Sequence, residues 1–457
     1  MARPGELDRR RVVAATSISY VVVILDTSIV NVALERIASN LATDITGPQW
    51  VVNAYTLTFA SLLLTGGTLG DIWGARNIYL AGLAVFTAAS ALCGIAPDLA
   101  VLIAARVLQG IGAAMLVPCS LTLINHACPD PGKRAAAIGL WAGCGAAAMA
   151  AGPLIGGILI HEFGWRSIFF VNVPIGLVGI VLTSQIARDA RSSRGRHIDL
   201  AGQLAAILAL ASTIAVPIER APLGWSSPLI LAGIAIGGVA WAAFLLIEAR
   251  QLQPMLPLSL FRNPVFAGSA MVSMVSALTF YGLMFLLSLF YQQVQSYTPL
   301  QTGLAFLPAT ALVSAGSIAS SRLAQAHGAR RLVCAALVLY ALGFLGMLLS
   351  TPISPYWLTA LPMLAIGLAA GLITPTTTAA LMGTIDKGRA GIAAGMLNSA
   401  RQTGAALGVA IFGTLVATIH PFETGMHVAL SVAATLSLLT ALVWWLVIGA
   451  KAGRSDC

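Results

Sequence analysis

Long apolar runs separated by short polar breaks recur along almost the whole chain. Fourteen can be marked, near residues 12–34, 49–70, 77–96, 99–125, 135–160, 165–187, 199–217, 227–247, 265–291, 300–321, 332–350, 356–382, 390–419 and 428–449. An α-helix of about 20 apolar residues crosses a ~30 Å hydrocarbon core, so the pattern predicts an all-α polytopic membrane protein with about fourteen transmembrane helices. One position breaks the apolar pattern sharply. Apart from Asp199 at the very edge of the seventh run, Asp26, in VVAATSISYVVVILDTSIVNVAL, is the only carboxylate inside these segments. An acid at that depth is costly unless protonated or paired, and so marks a proton or cation pathway.

Composition agrees, with 58% hydrophobic and 9% charged residues and a mean hydropathy of +0.89; about a quarter of the residues are charged in a soluble domain. Charge placement then sets orientation. With Arg3, Arg9, Arg10 and Arg11 in the cytoplasm, only Arg36, Arg166 and Arg220 fall in outer loops, while Arg106 and Arg401 lie within spans. This satisfies the positive-inside rule and predicts an even number of spans, with both termini cytoplasmic. The net charge of +9 is explained by basic inner loops facing anionic lipid, densest at Arg188, Arg191, Arg194 and Arg196, and needs no nucleic-acid partner. Six cysteines, Cys93, Cys119, Cys128, Cys144, Cys334 and Cys457, show no metal-ligand or disulfide-framework spacing. The first apolar run is too long for a secretory signal and reads as a spanning anchor.

Two collinear matches indicate an internal repeat. LGDIWGAR (69–76) aligns with LAQAHGAR (323–330), and GIGAAMLVP (110–118) with GLAAGLITP (367–375). The offset exceeds what six helices need by about two helices, which predicts an inserted pair between two six-helix halves. The expected division is 1–190, 191–263 and 264–457.

The motifs carry a family resemblance. GTLGDIWGAR, with Gly67, Asp71, Gly74 and Arg76, resembles the loop signature of the major facilitator superfamily, and Arg106, Gln109, Gly110 and Gly112 resemble its fourth-helix motif. GPLIGG, with Gly152, Pro153, Gly156 and Gly157, resembles its antiporter motif. LDTSIVNVAL, QWVVNAYTL, WRSIFFVNVPIG, IDLAG and RQTGAALGVAIFG resemble the fourteen-helix drug:proton antiporter branch. The resemblance implies the major-facilitator fold, export driven by the proton gradient and no cofactor. Two departures stand out: Ile72 and Ala75 replace basic residues of the loop motif, and Glu35 replaces a proline at the end of the first span.

Individual residues take roles from their positions. At about 1.5 Å of rise per residue, Asp26 and Arg106 both lie roughly 9–10 Å below the outer face, so Arg106 is the expected partner and the pair the expected proton-coupling site. Asp71 and Arg76 suit a cytoplasmic gate, with a solvated turn at Gly74 as the plainer reading. Gly152, Gly156 and Gly157 allow close helix approach, and Pro153 permits a bend. Asn31, Asn53, Tyr55 and Gln109 are substrate-cavity candidates, as are Asn398, Arg401 and Gln402, for which interhelical hydrogen bonding competes equally. Met271, Met274, Met284, Phe280 and Tyr281 read as packing, Trp444 and Trp445 as interfacial anchors, and His161, His420 and His427 as surface residues of outer loops.

The expected function is proton-coupled efflux of small apolar or monocationic organic compounds across the cytoplasmic membrane. Rival expectations are a major-facilitator transporter of a metabolite or amino acid, and a membrane sensor that does not transport. No P-loop or catalytic constellation is present in the sequence, so no enzyme activity is expected. Oligomeric state is left open. The orientation is checked by labelling: cysteines placed at Ser193 and Arg262 should both react from the cytoplasmic side, and reaction from outside at either would overturn it.

Overall fold

The structure, a computed structural model, describes residues 4–128, 130–186, 199–251, 254–385 and 390–452. Arg3, Ser193, Cys457 and the basic cluster of Arg188, Arg191, Arg194 and Arg196 lie outside the described residues. Fifteen α-helices follow one another: α1 (Pro4–Asn40), α2 (Thr46–Trp73), α3 (Ala75–Ile95), α4 (Leu99–Ala127), α5 (Pro131–Phe163), α6 (Ser167–Phe170), α7 (Asn172–Ser184), α8 (Leu200–Leu223), α9 (Pro228–Arg250), α10 (Pro264–Leu289), α11 (Pro299–His327), α12 (Ala329–Gly346), α13 (Trp357–Met382), α14 (Ala390–Thr418) and α15 (Phe422–Ala452). Among the described residues, thirteen spans are long and apolar enough to cross a membrane. The fourteenth expected span is α2, which has the length, at 28 residues, but carries Gln49, Asn53, Tyr55 and several threonines. Helices suit this setting because each satisfies its own backbone hydrogen bonds where no water is available.

Two compact units form, residues 1–207 with 298–303, and residues 208–297 with 304–457. In the first, an aliphatic and aromatic core of Val22, Val23, Phe59, Leu63, Tyr79, Leu83, Phe86 and Leu116 joins α1 to α4. Lipid competes with side chains for apolar contact, so close backbone approach is what favours specific pairing. Glycine supplies it here. A Cβ on Gly110 would stand 2.7 Å from the Tyr55 carbonyl oxygen of α2, and one on Gly112 2.7 Å from the Phe86 nitrogen of α3. On α5, Gly152 faces the Ser28 side chain, and a Cβ on Gly156 would stand 2.6 Å from Ile29 Cγ1. The antiporter-like glycines thus press α5 onto the turn of α1 just beyond Asp26. Gly157 and Pro153 meet the first turn of α11, with a Cβ on Gly157 falling 2.9 Å from Leu300 Cα and one on Gly303 meeting the Pro153 carbonyl.

The second unit repeats these contacts at aligned positions. Gly367 of α13 meets the Ala309 carbonyl of α11 as Gly110 meets that of Tyr55, and Gly404 and Gly408 of α14 approach the Met274 and Leu278 carbonyls of α10, so that α14 packs on α10 as α5 packs on α1. Gly74 and Gly328 both precede a helix with positive φ, 88° and 79°. The following arginines also correspond. Arg76 donates to the Ser184 carbonyl at the end of α7 (2.7 Å), and Arg330 to the Trp445 carbonyl of α15 (2.9 Å) while stacking on its ring at 3.8 Å. Each cation meets carbonyl oxygens late in a helix, where the helix dipole is negative.

Four details differ from the sequence expectation. The sixth span loses its regular hydrogen-bond pattern at Val171, ahead of Pro174, which has no N–H to donate, although Val171 itself stays helical (φ −61°, ψ −27°). Trp444 is fully buried, so only Trp445, 41% exposed, sits as an anchor would; adjacent helical residues point about 100° apart and cannot share a surface. His427 belongs to α15 and meets the Ser350 carbonyl at 3.1 Å, so it is no loop residue. Asp26 is not the only buried acid: α9 extends far enough to enclose Glu248, 2% exposed, which accepts from the Leu256 nitrogen at 2.9 Å. Of the expected packing set, Phe280 and Met284 are buried in α10.

The α1–α5 contact gives a direct test. Gly156→Leu should force the helices apart, costing about 1–3 kcal/mol or more by overpacking, and reduce folded protein and transport. Gly139→Leu, on the same helix with nothing within 4 Å of its Cβ position, should do neither. Equal abundance and activity of the two variants would contradict the contact.

Candidate functional site: a buried carboxylate network

Asp26 occupies the middle of α1 with no solvent exposure. Its Oδ2 accepts from Arg106 Nη1 of α4 at 2.5 Å. Its Oδ1 accepts from Gln109 Nε2, one helical turn further along α4, at 2.8 Å, and from Asn172 Nδ2 at the start of α7 at 2.9 Å. The carboxylate is thus held by three donors from two neighbouring helices. Arg106 and Gln109 reach it together because residues three apart share a helix face.

Arg106, 1% exposed, has further partners. Its Nε donates to the Val51 carbonyl of α2 at 3.0 Å, its Nη1 to Gln109 Oε1 at 2.7 Å, and its guanidinium lies 4.3 Å over the Tyr55 ring and 5.8 Å from that of Phe169. Gln109 extends the network to α3, donating to Ser90 Oγ at 2.8 Å, with Cys93 Sγ 3.6 Å from its Oε1. Elements α1, α2, α3, α4, α6 and α7 therefore converge on one charge pair. Removing one member of a buried pair commonly costs about 3–5 kcal/mol, because the other is left uncompensated. Here Arg106 would keep a carbonyl, an amide oxygen and an aromatic face if Asp26 became neutral, and these hold the cation in place.

The structure brings Asp26 and Arg106 into contact at the shared depth that their positions predict. It also draws in Gln109 and Tyr55, which the sequence offered as cavity residues; both are fully enclosed. Asn31 is buried and donates to the Thr27 carbonyl of its own helix at 3.1 Å. Asn53 is fully buried, and neither atom of its amide has a hydrogen-bond partner among the described residues. Asn172, Ser90, Cys93 and Phe169 were missed. Asn172 had a visible signal, an amide in the apolar stretch FFVNVPIG just before Pro174.

The other candidates form separate groups. Arg401 of α14 donates to Thr378 Oγ1 (2.5 Å) and the Thr374 carbonyl (3.3 Å) of α13, and to Asn398 Oδ1 (3.4 Å) on its own helix. These bonds tie α13 to α14. Gln402 follows Arg401, half-buried. In the loop motif Gly67 and Asp71 are half-buried near the end of α2, a Cβ on Gly67 would sit 3.5 Å from Pro118, and Arg76 reaches the carbonyl end of α7. Gly152 and Gly156 back α1 beside the network, while Pro153 and Gly157 meet the first turn of α11.

Comparison with known proteins fits this architecture. The chain is 35% identical over 443 residues to the methylenomycin A resistance protein of Streptomyces coelicolor, covering 97% of this chain and 93% of that one. It is 35% identical over 416 residues to the drug efflux pump JefA of Mycobacterium tuberculosis, covering 90% and 80%. Its fold matches the crystal structure of PepTSo, a POT family transporter, with a TM-score of 0.71 at 14% identity and 99% of each chain covered. Residues 16–409 match the Major Facilitator Superfamily, and with thirteen spans long and apolar enough to cross a membrane among its described residues, this multi-pass membrane protein belongs to that superfamily.

Proposed function

We propose that this protein exports small, largely apolar or monocationic organic compounds, antibiotics among them, in exchange for protons, and that Asp26 carries the proton. The observation that supports this most is a carboxylate in the middle of α1, shielded from solvent and bonded to an arginine on another helix. Deprotonated, Asp26 holds α1 to α4 and α7 through three charge-assisted or amide donors. A proton on it removes the charge attraction to Arg106, whose remaining partners lie on α2 and α4. The contacts of α1 are then free to change relative to α4, while the glycine face of α5 keeps α1 in register. The resistance and efflux roles named for the relatives support an outward direction. The charge asymmetry of the loops supports cytoplasmic termini in the cytoplasmic membrane, with α8 and α9 as an inserted pair between two six-helix halves. The proton gradient serves as the energy source, and lipid and cargo are the partners.

Asp26→Asn keeps the size and hydrogen bonding of the side chain but cannot titrate. In everted vesicles it should insert normally and lose accumulation driven by a proton gradient, while cargo counterflow persists; Asp26→Glu should retain part of the activity with a displaced pH profile. Gradient-driven accumulation by Asp26→Asn at the wild-type rate would overturn the proposal. Absence of both accumulation and counterflow in the wild-type protein would favour a sensor that does not transport. With one titrating acid in the network, monovalent cargo should be exported better than dications of similar size.

A further inference from the structure

The surroundings of Asp26 suit a carboxylate and leave a carboxylic acid without an acceptor. Arg106 Nη1, Gln109 Nε2 and Asn172 Nδ2 all donate to its two oxygens. Once protonated, Asp26 gains an O–H that needs an acceptor, and three donors surround it. Arg106 has none to offer. Gln109 has one, but its Oε1 already accepts from Arg106 Nη1 at 2.7 Å, so turning that amide would set N–H groups against a guanidinium.

Asn172 is different. Its side chain is fully buried, and its Oδ1 has no hydrogen-bond partner among the described residues. Half a turn of the amide about χ2 would exchange Oδ1 and Nδ2 with little change in shape. The oxygen would then face the new O–H, and the NH2 group would take the unpartnered place. One buried polar atom of Asn172 lacks a partner in either state, so the turn adds no further unsatisfied group.

We propose that Asn172 is a positioning residue that reads the protonation state of Asp26, donating to the carboxylate and, after an amide turn, accepting from the acid. This rests on the reading of Asp26 as the proton carrier. The step balances simply: a proton bonds to Oδ1 of Asp26, the charge of that side chain goes from −1 to 0, and Asn172 changes only its orientation. The charged or titratable side chains that the network brings near are Arg106 from α4, Cys93 from α3 through Gln109, and Tyr55 from α2 over the guanidinium. Asn172 is also the first residue of α7, two residues before Pro174, so a change in its bonding acts where the helix lacks one backbone hydrogen bond.

Infrared difference spectroscopy on the purified protein in lipid, taken across a pH titration, tests this. The carboxylic-acid carbonyl band of Asp26 is the one lost in Asp26→Asn. In the wild type it should lie at the frequency of an acid whose O–H is hydrogen-bonded, and in Asn172→Leu it should move to a higher frequency as that one hydrogen bond is lost. Should the leucine variant fail to fold, wild-type protein labelled with carbon-13 at asparagine side-chain carbonyls gives the second reading. One labelled amide band, absent from Asn172→Ser, should shift as Asp26 titrates. An Asp26 band that is present but unmoved by Asn172→Leu, or a labelled band that does not shift, would overturn the amide turn alone. No Asp26 band at any pH would overturn the proton-carrier reading and this inference with it.

Discussion

A carboxylate and a guanidinium held in contact away from water constrain everything around them in the first unit. Such a pair is tolerable only if each remaining lone pair and N–H has a partner, which requires several helices to arrive at one point with the right side chains. Val51 supplies a carbonyl from α2, Gln109 both an acceptor and a donor from α4, Asn172 a donor from α7, and Tyr55 and Phe169 aromatic faces. The glycines at 110, 112, 152 and 156 bring the backbones close enough for these side chains to meet. Close helix packing and the charge network are therefore one device. Loosening the packing would leave the charges without their partners.

The two units share a packing plan and differ in chemistry. Glycine contacts, positive-φ turns and arginine-to-carbonyl bonds recur at aligned positions, yet the aligned neighbours of Asp26 and Arg106 in the second unit are apolar, Phe280 on α10 and Met363 on α13, both buried. Its intramembrane arginine, Arg401, bonds to hydroxyl, carbonyl and amide oxygens on α13 and α14. Under the role proposed for Asp26, a duplicated scaffold with this ion pair in its first copy lets a proton act directly on the contacts of α1.

What could be read from the sequence follows the same physics. Helical rise is fixed, so counting residues from opposite faces placed Asp26 and Arg106 at one level, and small residues spaced four apart announced close approach. The repeat was legible because Gly74, Gly110 and their counterparts each meet a backbone requirement that few residues fulfil. Helix rotation was not legible. Whether Gln109 and Tyr55 face a cavity or the ion pair, and which of Trp444 and Trp445 turns inward, depends on tertiary packing that neighbouring positions on a uniformly apolar helix do not reveal. Asn172 escaped for a related reason: the amide before Pro174 is visible in the sequence, but the direction it faces depends on how α7 is rotated against α1.

The central claim is that the proton which moves with cargo is the one on Asp26. Its most direct test uses proteoliposomes with a cargo gradient and no pH gradient, with internal pH followed by a trapped indicator. The account predicts that wild-type protein moves protons against the direction of cargo flow, and that Asp26→Asn moves cargo without moving protons. Proton movement of wild-type size in Asp26→Asn would contradict it.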